Sequence, residues 1–333
     1  VWLAVIIAFI VEDFAGYWLH RMNHRVNVFW NRHIIHHSSE EFNLSCALRQ
    51  SISDTVKFKA VFIIPAAVLG VPPHIFAVVG PIHLFMQFWY HTRLIDKMGW
   101  LEKVIVTPSH HRVHHAINPQ YIDKNYSQIF IVWDKLFGSF QPELAEVKPL
   151  YGILRPAKTW NPVIINFKHL WQLMKDALRT EKLWDKIRIW FMPTGWRPDD
   201  VAEKFPIHIL TSPHKQIKYE TENSPLLILW SATQMTVGLV LMFHLFYISS
   251  LVSTSITLLY AVFLVLHVFG YTSFLDKKNY AIYSEGIKFI LGMALFGMNN
   301  LTWFGSGTLI SILIGLYLII SLAIAIYFIK TET

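Results

Sequence analysis

Charge is what this sequence has least of. Asp, Glu, Lys and Arg make up 15% of its 333 residues, against 53% hydrophobic residues, where a soluble domain carries about 25% charged. Three stretches, residues 60–90, 225–275 and 289–329, contain no charged residue. That excludes an ordinary soluble chain, whose helices need a polar outer face, and points to membrane spans of about 20 residues each. Cysteine is almost missing. Cys46 stands alone, so a disulfide scaffold is excluded, and a lone cysteine reads as a small buried hydrophobe. Internal repeats and low-complexity segments are absent too. The sequence opens at Val1, without Met and already inside an apolar stretch, so missing upstream residues are expected.

The apolar runs set the expected architecture: an all-α, multi-pass transmembrane helical bundle. Residues 1–19, apolar apart from Glu12 and Asp13, read as the end of a first span. Pro72-Pro73 splits residues 60–90 into two spans, or one span and a shorter piece. The last two runs hold about four helices, the second interrupted by Asn299-Asn300 and Gly305-Ser306-Gly307. The formal charge of +7 is concentrated in residues 21–59 and 93–221. The positive-inside rule places both blocks on the cytosolic side, as a helical cap, and the excess fits a membrane surface better than nucleic acid. Expected boundaries are a catalytic domain over 1–200, a linker over 201–224 and C-terminal transmembrane helices of unknown role over 225–333. Within the cap, residues 168–191 alternate Trp and Leu with Lys and Arg. They read equally as an amphipathic helix on the membrane or as one packed on its own domain.

Histidine is abundant, with 17 residues, and most of them cluster. His20 and His24 form one pair, His33, His36 and His37 a second set, and His110, His111, His114 and His115 a third. Helical residues three or four apart share a face, so each set aims its imidazoles at one point. Eight of them (His20, His24, His33, His36, His37, His111, His114, His115) are too many for one metal ion and suit two that keep open positions. His91, after the apolar run to Tyr90, is a ninth candidate. A single histidine beside a span is more often packed than ligating; three sets at helical spacing are not. Asp13, His110, Asn125 and Asp134 are candidates to hydrogen-bond the ligands from behind. Sites at span ends face lipids, whose saturated carbons offer a hydrolytic zinc nothing to attack, whereas a redox metal pair can use O₂. No carboxylate lies inside the sets, unlike the Glu-x-x-His sites of soluble di-iron bundles. Arg49 and Gln50 could hold a polar headgroup or simply snorkel. Trp18, Phe29, Trp30, Phe42, Trp89 and Tyr90 could line a lipid tunnel or form an interfacial belt.

The three sets resemble those of the fatty acid hydroxylase/sterol desaturase superfamily. Longer strings are similar to its alkylglycerol monooxygenase branch: Tyr17-Trp18-Leu19-His20-Arg21-Met22-Asn23-His24, residues 36–51, residues 107–115, Asp123-Lys124-Asn125-Tyr126, and residues 133–140. The likeness is strong over residues 9–155 and continues to Pro198. It implies two iron ions held by the eight imidazoles and His91, O₂ as co-substrate, and tetrahydrobiopterin as electron donor, with a redox protein as the alternative donor. It also implies cleavage of the ether bond of alkylglycerols to a fatty aldehyde and a glycerol derivative. Arg25 and Arg93 depart from the branch, which often has an acidic residue there. The expected membrane is the endoplasmic reticulum in a eukaryote or the inner membrane in a bacterium. Alternatives are a sterol or acyl-chain hydroxylase or desaturase with the same site, a membrane zinc hydrolase, a metal transporter or store, and a bis-histidine haem protein. Transporters usually place ligands mid-membrane in broken helices, unlike these sets.

Overall fold

The computed structural model describes residues 1–52 and 59–333. Among them the regular elements are helical, and the only strand-like pairings are the isolated bridges Ile105–Phe130 and Ala116–Tyr151. The all-α expectation therefore holds. The chain divides into two compact units, residues 1–157 with 165–218 and residues 158–164 with 219–333. This departs from the expected linker over 201–224. The start of that stretch is helical and belongs to the first unit. Residues 158–164 go with the second because the Trp160 amide donates to Asp276 (2.8 Å) and Asn161 Nδ2 donates to Ser273 Oγ (2.8 Å).

The first unit runs through α1 (Trp2–Arg25), α2 (Asn27–Trp30), α3 (Ile34–His37), α4 (Leu44–Ala47), α5 (Lys59–Val68), α6 (Pro73–Phe85), α7 (Pro108–His114), α8 (Val132–Leu136), α9 (Pro162–Arg179, of which residues 162–164 go with the second unit), α10 (Leu183–Arg188) and α11 (Asp199–Lys204). At 1.5 Å per residue α1 is about 36 Å long, enough to cross a bilayer. The run over residues 60–90 forms α5 and α6, of 10 and 13 residues. Neither reaches span length. Val71, Pro72 and the helix-starting Pro73 part them, and both pack on α1 through Ala8, Ala66, Val71, Ile75 and Val79.

Two polar features of α1 tie it to the segment after α7. Asp13 is fully buried and accepts from the Ile129 amide (2.9 Å), the Phe130 amide (3.0 Å) and Trp133 Nε1 (2.8 Å), with His83 Nε2 at 3.0 Å. One turn on, Gly16 leaves room for the Gln128 side chain, which any Cβ at that position would strike.

The second unit carries α12 (Pro225–Ile248), α13 (Thr254–Leu275), α14 (Ala281–Met298) and α15 (Thr308–Thr331), each packed on the next. Ser224 and Ser253 cap the first two by accepting from Leu227 and Ile256 amides. The third helix starts before the charge-free run and takes in Glu285 and Lys288, buried and 2.6 Å apart. Glu285 fits because Gly270 faces it without a side chain. Lys288 also donates to Ser321 Oγ (2.8 Å), which binds Gln234 Nε2 (2.8 Å), so the charges are paired and bonded among apolar helices. With α1, these make five helices among the described residues that are long and apolar enough to cross a membrane. The chain is a multi-pass membrane protein.

Candidate metal centre

Each histidine set is placed by a different local device. His20 and His24 end α1, on the last two turns of a helix whose earlier residues are mostly apolar, Glu12 and Asp13 apart. His36 and His37 lie on the single turn of α3, and His33 immediately precedes it. His111 and His114 lie on α7, started by Pro108 and capped by Thr107, with His115 just beyond. His91 ends the turns that follow α6.

These nine imidazoles come together in two groups. His20, His24, His33, His37 and His114 form one, and His36, His91, His111 and His115 the other. Within each, one ring nitrogen per residue lies within 4.8 Å of all the rest. Close Nε2–Nε2 approaches run through both: His20–His33 at 2.9 Å, His24–His37 at 3.1 Å and His37–His114 at 3.1 Å in the first; His36–His91 at 3.4 Å, His91–His111 at 2.8 Å and His111–His115 at 3.0 Å in the second. The groups adjoin, with the His37 and His115 rings stacked at 4.2 Å.

The protein ties down the opposite nitrogen of several rings with main-chain carbonyls. His20 Nδ1–H donates to the Tyr126 carbonyl (2.7 Å), His114 to Lys124 (3.0 Å), His36 to Cys46 (3.1 Å) and His91 to Gln87 (3.0 Å). A neutral imidazole that donates through Nδ1 keeps its lone pair on Nε2. His36 and His91 are both in that state, so two acceptors face each other with no proton between them. His111 Nδ1 is buried with no hydrogen-bond partner among the described residues. Such a collection of inward lone pairs is costly unless a cation sits among them. The donor set therefore fits two divalent ions of the kind imidazole favours: iron, copper, nickel or zinc.

Burial keeps the rings neutral. It pushes the pKa of His33, His36, His37, His111, His114 and His115 well below 6.5, with neighbouring imidazoles adding to the effect, and brings His91 to about 4. Unfolded, these rings bind a proton near 6.5, which the folded state refuses. The metal-free protein is thus expected to keep full stability above about 6.5 and to lose it as pH falls towards about 4. Thermal unfolding after chelator treatment should show a midpoint falling between pH 7 and 5; a flat profile would contradict neutral burial.

The four expected outer partners do something else. His110 Nδ1 accepts from the Thr107 amide (3.3 Å) in the α7 cap. Asn125 Nδ2 donates to the His110 and Gln141 carbonyls (3.1 and 2.8 Å). Asp134 accepts from the Tyr126 and Ser127 amides (both 2.8 Å) and Ser139 Oγ (2.7 Å). Asp13 anchors residues 129–133, as above. Asn125 and Asp134 hold the segment whose Lys124 and Tyr126 carbonyls hold His114 and His20. Sequence reading missed those carbonyls, since a carbonyl carries no residue identity. The available signal was Asp123-Lys124-Asn125, where Asp123 (φ 60°) and Asn125 (φ 55°) adopt the left-handed backbone that Asp and Asn tolerate. Asp123 also lies 3.7 Å from His24 Nδ1, and Arg25 pairs with it at 2.8 Å. Arg93 pairs with Glu41 at 3.1 Å.

A cavity of about 280 Å³ opens from the first group. His24, His37, His114 and His115 form one end. Trp30, Ile34, Ile117, Ile153 and Leu173 make an apolar wall, and Arg155, Gln172, Asp176 and Arg197 a polar one. Arg155 donates to Gln172 Oε1 (3.0 Å), and Arg197 pairs with Asp176 (2.7 Å). Against the second group, Phe42 lies 5.2 Å from His115 and Tyr90 4.3 Å from His111, ring to ring. Arg49 and Gln50 are engaged locally, by Ser38 Oγ (3.1 Å) and the Ala47 carbonyl (2.9 Å).

Residues 5–139 match the fatty acid hydroxylase family. Alkylglycerol monooxygenase from Homo sapiens is 35% identical over 294 residues, 88% of this chain and 65% of that protein. The Xenopus tropicalis protein of that name is 36% identical over 290 residues (87% and 64%). The Danio rerio one is 43% identical over 196 residues (58% and 42%). The chain thus spans no more than 65% of the length of these relatives. No solved structure gives a significant match.

Proposed function

We propose, on the match of residues 5–139 to the fatty acid hydroxylase family, that the chain is a membrane monooxygenase that holds two iron ions with its nine imidazoles and cleaves the ether bond of alkylglycerol lipids. The observation that carries this is the pair of imidazole groups, five and four buried or half-buried rings, four of which turn their Nε2 lone pairs inward, with His24, His37, His114 and His115 lining one end of a cavity. The ether-lipid substrate rests on the relatives' name.

Bound iron would supply O₂ activation. The chain's own residues do the rest. His20, His24, His33, His37 and His114 would hold one ion, and His36, His91, His111 and His115 the other. The carbonyls of Gln87, Lys124, Tyr126 and Cys46 keep four of the rings aimed and basic. Phe42, Tyr90 and Tyr151 keep water from the second group. The apolar wall suits an alkyl chain and the polar wall a glycerol end. In balance, the ether carbon's C–H becomes C–OH with one oxygen of O₂. The other oxygen leaves as water, with two electrons and two protons from a donor such as a reduced pterin or a redox protein. The hemiacetal then separates into aldehyde and alcohol. The excess of Lys and Arg around the histidines supports a cytosolic-side site, in the endoplasmic reticulum or a bacterial inner membrane according to the host.

The test is oxygen uptake by the purified, iron-loaded protein. With an alkylglycerol and tetrahydrobiopterin, uptake should match fatty aldehyde formed one to one. Oxidation of a free fatty acid or sterol in place of the ether lipid would replace the substrate, and aldehyde formed without O₂ would overturn the reading.

A further inference from the structure

The helices α9 and α10 are built inside out. The outward stripe of α9 is Phe167, Trp171, Met174 and Leu178, and Leu178 is 77% exposed. Its inward face is half polar, with Asn166, Gln172 and Asp176 buried. The second helix repeats the pattern: Leu183, Trp184 and Ile187, with Phe191 just beyond, face out, while Asp185 is buried. Water penalises an arrangement that exposes eight large apolar side chains and buries two carboxylates.

The inward polar groups are satisfied by the protein. Gln172 and Asp176 bond to Arg155 and Arg197 along the cavity wall, and Asp185 pairs with Arg188 at 2.6 Å. That leaves the outward stripe needing an apolar neighbour. The position of the pair says which one. The Asn27 amide donates to the Met192 carbonyl (2.9 Å) and the Val28 amide to Trp190 (2.9 Å). His169 Nε2 donates to the Asn27 carbonyl (2.9 Å). These bonds fasten both helices to the residues that follow the last turn of α1, where the span ends in Arg21, His24 and Arg25. On the same stretch Lys175 and Lys182 are cations suited to anionic headgroups, while Arg179 lies over the Phe205 ring and Lys186 donates to the Ala177 and Leu178 carbonyls, and the two tryptophans suit the headgroup level.

We propose that α9 and α10 form a monotopic membrane-docking surface, with the stripe from Phe167 to Phe191 seated in the headgroup–acyl boundary of the bilayer that α1 crosses. The partner is a lipid surface, favoured when anionic. Helix α9 is then the partition between bilayer and cavity. The inference uses burial, polarity and the tie to a span, not metal chemistry, so it stands or falls apart from the ether-lipid reading.

The test uses the full chain in liposomes of phosphatidylcholine with and without phosphatidylglycerol. In a Cys46→Ser background, Leu178→Cys and Ile187→Cys carry a nitroxide, with Glu203→Cys on exposed α11 as reference. Power saturation should show both stripe labels several-fold more accessible to oxygen than to nickel ethylenediaminediacetate, at a shallow depth of about 5–10 Å, and Glu203 the reverse. Stripe labels open to the nickel reagent would overturn the proposal, as would labels closed to both reagents, the sign of a protein partner. Independently, brominated lipid should quench the wild type more than Trp171→Phe/Trp184→Phe; equal quenching would count against it.

Discussion

Replacing His111 by Gln is expected to lower bound iron towards one ion per chain and to cut ether-lipid turnover by more than about 100-fold. The lower limit comes from metal sites in which loss of an outer hydrogen-bond partner alone costs about 10–100-fold. His111 Nε2 contacts both His91 Nε2 and His115 Nε2, so its loss opens the middle of the four-ring group. His114→Gln should do the same to the other group, where His114 meets His37. The contrast is His110, one residue away and as deeply buried. Its ring serves the α7 cap, so His110→Gln should keep its iron and lose only modest stability. Metal analysis beside turnover decides: three variants alike, or His111→Gln with full iron, would remove the second group.

Asp134→Asn is expected to weaken iron binding about 10–100-fold without contact with any metal-facing nitrogen. Asp134 holds the Tyr126 and Ser127 amides, and the Tyr126 carbonyl in turn holds His20 Nδ1. An amide in place of the carboxylate turns one acceptor into a donor facing a backbone N–H. The local cost is about 1.5–3 kcal/mol for a hydrogen bond to a charged group, and the carbonyl behind His20 shifts. Chelator competition reads affinity and thermal unfolding reads stability. Lower stability with unchanged affinity would show that the loop supports the fold and not the ring.

Much of this could be read from residue spacing. Histidines three and four apart must share a helical face, and the first span and the four C-terminal ones were legible because a bilayer imposes length and polarity on a span, whereas the span expected within residues 60–90 is two helices too short to cross. The expectations of iron and of an ether lipid came from family likeness, not from spacing. Four things escaped. The carbonyls that orient the rings depend on backbone geometry and leave no mark in composition beyond the left-handed Asp123 and Asn125. Asp13 and Asp134, expected against the imidazoles, act one step further out, because helical phase tells which face a residue shares and not what packs on it. The two readings of residues 168–191 were balanced because hydrophobic periodicity is the same whichever face turns inward. Only burial shows that Asn166, Gln172 and Asp176 of α9 turn inward while Phe167, Trp171, Met174 and Leu178 turn out. The length of α14 was underestimated because Glu285 and Lys288, as charges, marked an edge, whereas paired they lie inside a helix.

Iron X-ray absorption on anaerobically purified protein, with the iron-to-chain ratio measured on the same sample, tests most directly whether the nine imidazoles hold a pair of ions. Two irons per chain should be found, each with nitrogen-dominated neighbours showing imidazole multiple scattering. One iron per chain, or a sulfur- or carboxylate-dominated environment, would contradict it.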